Sequence, residues 1–178
     1  MKNITLLFFF LITIFGYSQV IDILPKDEYG KVHFSKIISS NELSQEETYN
    51  KSKVFFINNF NSGKDVIQLE DKNNSVIIGK GNTPIEIQSG KYKFSGLMSF
   101  SIKIESKDNK CKVDIYNIVY NNDSPAEIFF NQETEKNYKK ANGKAKTIME
   151  NYRDQTLEKV AFLESKLTEE FNKKNEDW

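Results

Sequence analysis

The chain has 178 residues, of which 25 are basic and 25 acidic, with 38% hydrophobic and 13% aromatic content. That length suits one domain with additions rather than two, and the balanced charge excludes a nucleic-acid binder that relies on a large basic excess. Cys111 is the only cysteine, so no internal disulfide forms and packing alone must stabilise the fold.

The N-terminus reads as a secretory signal peptide over residues 1–18. Lys2 supplies the positive region, Ile4–Phe15 is apolar, and Gly16 and Ser18 place small residues at the cleavage site. The apolar run is shorter than the roughly 18–20 residues a membrane span needs, so no stable span is expected after cleavage. Cleavage would leave Gln19 first. No cysteine lies there to be acylated, so the expected address is periplasmic or secreted and not a lipoprotein.

Residues 19–30, with Pro25 and a charged run, read as a leader. Val32, Phe34, Ile37 and Ile38 mark a first strand within Lys31–Ser39. A helix over Asn41–Phe60 follows, in which Ser44 and Glu47 form a capping box and Tyr49, Phe56 and Phe60 form the apolar stripe. Phe55 and Ile57 flank that stripe, and Ser62-Gly63 stops the helix by turn chemistry.

Lys64–Asn82 then reads as an antiparallel hairpin, with β-branched runs on either side of the polar turn Asp71–Asn74. Gly81-Asn82-Thr83-Pro84 reads as a breaker, after which Ile85 and Ile87 make a short edge strand. From Tyr92 to Glu105 apolar and polar residues alternate, as in an antiparallel sheet covered on one face. Cys111, Val113 and Ile115 continue the pattern, and the register slips near Asn117. Residues 121–143 form a polar connection around Pro125, with a small apolar knot at Ile128–Phe130. A long helix over Lys144–Lys173 carries Met149, Tyr152, Thr156, Val160, Leu163, Leu167 and Phe171 on one face. The expected fold is α+β: a curved antiparallel sheet of about five strands in the order β-α-β-β-β-β-α, with both helices on one face.

Tyr49, Phe56 and Phe60, then Asp65-Val66-Ile67-Gln68, Glu70-Asp71 and Ile77-Ile78-Gly79-Lys80-Gly81, give this chain a resemblance. Over roughly Lys31–Tyr120 it resembles domain of unknown function 4468, small secreted proteins of Bacteroidetes-type bacteria. Phe55 stands where a Trp is expected. The resemblance implies a TATA-binding-protein-like fold and export, and it implies no activity.

His33 is the single histidine, with no nucleophile elbow to serve. Asp71, Asn73 and Ser75 have calcium-loop spacing but lack the glycine and the final glutamate, so a turn explains them better. Gly79-Lys80-Gly81 lacks the spacing and following helix of a phosphate loop, and the glycines read as positions of close backbone approach. Glu46, Glu47, Glu70, Asp71 and Asp114 form no recognisable acid pair. Lys91, Lys93, Lys103, Lys107, Lys110 and Lys112 lie on or near the wet sheet face, where they would meet an anionic surface or simply discourage edge pairing. No cofactor or metal is expected.

The composite expectation is a non-enzymatic binding or interaction module of the cell envelope. Its partner would be an apolar ligand, an envelope glycan or another protein, and not nucleic acid. The alternative is a small hydrolase using dispersed carboxylates or His33.

Overall fold

A computed structural model describes residues 24–40, 42–60, 66–89, 91–120, 124–126, 140 and 143–173. The expected signal segment, the Ser62-Gly63 stop and the Ile128–Phe130 knot lie outside the described residues. In chain order the elements are β1 (His33–Ser39), α1 (Gln45–Asn59), β2 (Ile67–Asp71), β3 (Val76–Ser89), β4 (Tyr92–Lys107), β5 (Lys110–Tyr120), β6 (Ser124–Pro125) and α2 (Lys144–Asn172). All strand pairs are antiparallel, in the spatial order β1-β5-β4-β3-β2, and the two residues of β6 pair with the end of β5.

Period-two alternation divides this sheet into two faces. Phe34 and Ile38, Ile77, Ile85 and Ile87, Met98, Phe100, Ile102 and Ile104, and Cys111, Val113 and Ile115 point to one side and are buried. Both helices lie on that side. Phe56 of α1 seats its ring on Gly79, and Lys36 of β1 reaches Glu164 of α2 at 2.6 Å. Among the described residues, no helix lies on the other face.

Helix α1 begins where its chemistry dictates. The Ser44 side chain accepts from the Glu47 backbone N–H, and the Glu47 carboxylate accepts from the Ser44 N–H at 2.8 Å. Those hydrogen bonds hold the Glu47 carboxyl below its usual range. The helix therefore starts at Gln45, later than Asn41, because Glu42 has a positive φ that no helix accommodates. Ser44→Ala is expected to lower stability by about 1 kcal/mol, with Ser44→Gly milder. Urea unfolding midpoints check this, and equal midpoints for Ser44→Ala and wild type would refute it.

The stripe of α1 is broader than the alternation suggested. Phe55, expected at its flank, is fully buried, and Lys51 is mostly buried. The Lys51 ammonium donates to the carbonyls of Glu170 and Lys173, at 3.3 and 2.6 Å, at the C-terminal end of α2. A cation there satisfies open carbonyls and complements the helix dipole. Along α2, Tyr152, Thr156, Val160, Leu163, Leu167 and Phe171 are buried, as their spacing predicted. The Tyr120 and Thr156 hydroxyls, 2.6 Å apart, tie the helix to β5.

Two strand expectations are corrected. The breaker at Gly81–Pro84 and the separate Ile85–Ile87 strand are both interior to one 14-residue strand, β3. Strand β2 reaches only as far as Gly79, so the rest of that edge of β3 has no strand partner among the described residues. The Glu86 and Gln88 N–H groups turn outward there, donating to Gln155 Oε1 and Asn151 Oδ1 of α2 at 3.3 and 3.2 Å. Pro84 shares their parity, so its missing N–H falls on the open edge and costs no ladder bond. Part of the supposed leader also belongs to the fold. Leu24 is buried in the core, and the His33 N–H donates to the Pro25 carbonyl at 2.9 Å.

Candidate functional site

The helix-free face of the sheet is where side chains remain available. Across its centre, Lys80 of β3 lies opposite Ser101 of β4, and Asn82 lies opposite Ser99. On the far side of β4 the register shifts: Ser99 faces Val119 while Ser101 faces Tyr116, so β5 carries an extra residue. That residue is accommodated at Asn117, whose φ of 51° is the left-handed conformation a bulge of this kind uses. The slip expected near Asn117 is thus a bulge. It also explains how Ile118 and Tyr120 return to the buried face.

These residues enclose an open basin of about 380 Å³, lined by Lys80, Asn82, Ser99, Ser101, Asn117 and Val119. Ser101 is buried at its floor, and Lys80 has no carboxylate partner among the described residues. Gly79 and Gly81 are what aim Lys80. Their Cα atoms lie under the rings of Phe56 and Phe60, where an added Cβ would come within 2.4 Å of a ring carbon. The glycines are positions of close approach, and the lysine between them is turned to the helix-free face.

Beside the basin lies the one histidine. His33 Nε2 is 3.0 Å from Asp114 Oδ1, and the imidazole stacks on Tyr116 with centroids 5.9 Å apart. Lys112 Nζ is 3.0 Å from the other Asp114 oxygen. Burial pushes the Asp114 carboxyl up, but hydrogen bonds from His33, Ser35 and Lys112 outweigh it and hold it below the usual range. Ser35 bonds the carboxylate and not the imidazole, so the group is an anion with three donors, unlike a Ser–His–Asp relay.

The other carboxylates are engaged locally. Glu46 pairs with Lys72, Glu70 with Lys53, and Asp71 accepts from the Asn74 backbone and side chain within the turn. Asp114 is three strands away from β2, about 14 Å at ordinary strand spacing, wider than glycosidase acid pairs. Ser75 accepts from Gln45, consistent with a turn rather than an ion loop. Among the described residues, no cluster of three His, Cys, Asp or Glu side chains is placed to hold a metal. Cys111 is buried, and burial pushes its thiol up to about 12.

The lysines do not converge. Lys91 and Lys93 sit at the start of β4, and Lys103, Lys110 and Lys112 lie near its other end, roughly 30 Å away at strand rise. Lys93, Lys103 and Lys112 each pair with a carboxylate: Glu86, Glu105 and Asp114. Lys107, Lys110 and Lys112 flank a second cavity of about 220 Å³ with Ile37 and Glu105. Lys80, the lysine that does line the central basin, had been absorbed into the glycine motif in the sequence. Only pairing register shows it beside Ser101.

The family described as "Domain of unknown function (DUF4468) with TBP-like fold" matches residues 34–121. The chain carries a DUF4468 domain. Its fold is similar to a DUF4468 family protein from Bacteroides ovatus, at 20% identity and a TM-score of 0.66, covering 86% of this chain and 93% of that one. It is also similar to a TBP-like protein from Parabacteroides distasonis, at 16% identity and a TM-score of 0.56, covering 80% of this chain and 96% of that one. No curated protein matches. The DUF4468 segment spans β1 to β5 and includes Gly79-Lys80-Gly81 and the bulge at Asn117; α2 lies beyond it.

Proposed function

We propose that this DUF4468 protein is a non-enzymatic binding module of the cell envelope, exported by its N-terminal segment and working through the helix-free face of its sheet. The observation that carries this reading is the placement of both helices on one face. It leaves polar and aromatic side chains of β1, β5, β4 and β3 in register across the other. An antiparallel sheet with one open face presents a broad, rigid surface, and rigid surfaces lose little entropy on binding. Export rests on Lys2, the apolar Ile4–Phe15 run and the small residues Gly16 and Ser18.

Hydroxyl-radical footprinting of the protein in its native envelope fraction, compared with the purified chain, tests the surface. Protection is expected at His33, Ile37 and Tyr116, with Leu157 and Phe162 of α2 unchanged. Protection confined to α2 would overturn the assignment of the sheet face. Peptide mass mapping of the same fraction is expected to find Gln19 as the first residue; an intact Met1 terminus would remove the export reading.

A further inference from the structure

We infer that the central basin takes an acidic sugar unit, with its anionic group on Lys80 and its hydroxyls on Asn82, Ser99, Ser101 and Asn117. The inference rests on the binding-module reading and names the ligand class for that face. Three observations carry it.

The first is charge. Lys103 and Lys112 on the same face are held by Glu105 and Asp114, whereas Lys80 has no ion-pair partner among the described residues. Among the described residues that line the basin there is one cation, Lys80, and no carboxylate. The second is the set of neutral groups. Two serine hydroxyls and two asparagine amides, each both donor and acceptor, fit the mixed hydrogen bonding of sugar hydroxyls. They come from three adjacent strands, which fixes their spacing by register rather than by loop conformation. The third is size and shape. A volume of about 380 Å³, open to the surface, accepts one sugar ring with substituents. The bulge at Asn117 adds the residue that brings a second amide to the rim.

The test is a titration of the full mature chain, followed by backbone amide NMR, with glucuronate, glucose 6-phosphate, glucose and acetate as separate probes. Shifts are expected at Lys80–Asn82, Ser99–Ser101 and Asn117 with glucuronate or glucose 6-phosphate, whichever anion Lys80 prefers. Glucose and acetate are each expected to bind at least roughly tenfold more weakly, because each lacks half of the recognised chemistry. Lys80→Gln, an exposed change, should weaken the acidic sugar by roughly tenfold and leave glucose unaffected, while Lys110→Gln at the far cavity should change neither. Equal binding of glucose, or an unaltered Lys80→Gln titration, overturns the inference. Shifts centred on Ile37, Lys107 and Lys110 overturn the basin but leave the sheet face as the binding surface. With no shift from any probe the acidic-sugar assignment falls, and footprinting alone then decides the broader reading.

Discussion

Replacing Gly79 by alanine is expected to lower stability by about 3 kcal/mol, the upper part of the range for overpacking a core. The new methyl carbon would sit 2.4 Å from Phe56 Cε1 and within about 3 Å of two further ring atoms. Neither side can easily yield. Phe56 is completely buried and packs edge-on against Phe55, while pairing with Ile67 and Ile102 on both sides fixes the backbone of Gly79. Gly81 makes a similar approach to Phe60, and a milder one to Phe100 at 3.0 and 3.1 Å, but Phe60, the nearer ring, is only partly buried. Gly81→Ala should therefore cost less, about 1 kcal/mol. Urea denaturation of the two variants checks the order. The double variant Gly79→Ala/Phe56→Leu should recover part of the loss, since residues in contact do not add independently. A Gly79→Ala protein as stable as wild type would show that the helix is not clamped onto the sheet at this point.

The second large effect is expected at Asp114, and it depends on pH. The carboxylate is buried on the face without helices and receives hydrogen bonds from His33, Ser35 and Lys112. Asp114→Asn keeps the shape but removes the charge, and should cost about 2 kcal/mol at neutral pH. The folded carboxyl titrates below its unfolded value, so its contribution is fully present above about pH 3.9 and is lost as pH falls through the lower folded value. The gap between wild type and Asp114→Asn should accordingly be wide at pH 7, unchanged at pH 5, and closing below about pH 3.9. Unfolding midpoints at those three conditions test the sign; a gap that widened in acid would reverse it.

Much of this fold can be read from residue order, and the reasons differ by element. The capping box, six of the seven residues of the α2 face and the alternation from Met98 to Ile104 are local patterns that appear where their period places them, whereas Met149 is only half-buried and Tyr92 and Phe94, at the start of the same alternation, are exposed. The errors share one physical cause. Pro84 looks like a breaker when only its missing donor is considered, yet the sheet edge makes that donor unnecessary. Phe55 looks like a flank residue until the second helix and the aromatic cluster of Phe56 and Phe60 close over that side of α1. The candidate site was the least legible part. Lys80 is 21 residues from Ser101 and 37 from Asn117 in the chain. No spacing rule joins them; pairing across three strands does.

The contact of Asn151 and Gln155 with β3 bears on what counts as the unit of folding. Residues 34–121, taken by themselves, would leave the Glu86 and Gln88 amides bare along with the apolar neighbours Ile85 and Ile87. Such an edge is a template for a strand from another molecule. The long C-terminal helix acts as a built-in blocker, occupying with two side-chain amides the positions an invading strand would need. The segment that defines the family is thus smaller than the segment that covers this sheet edge.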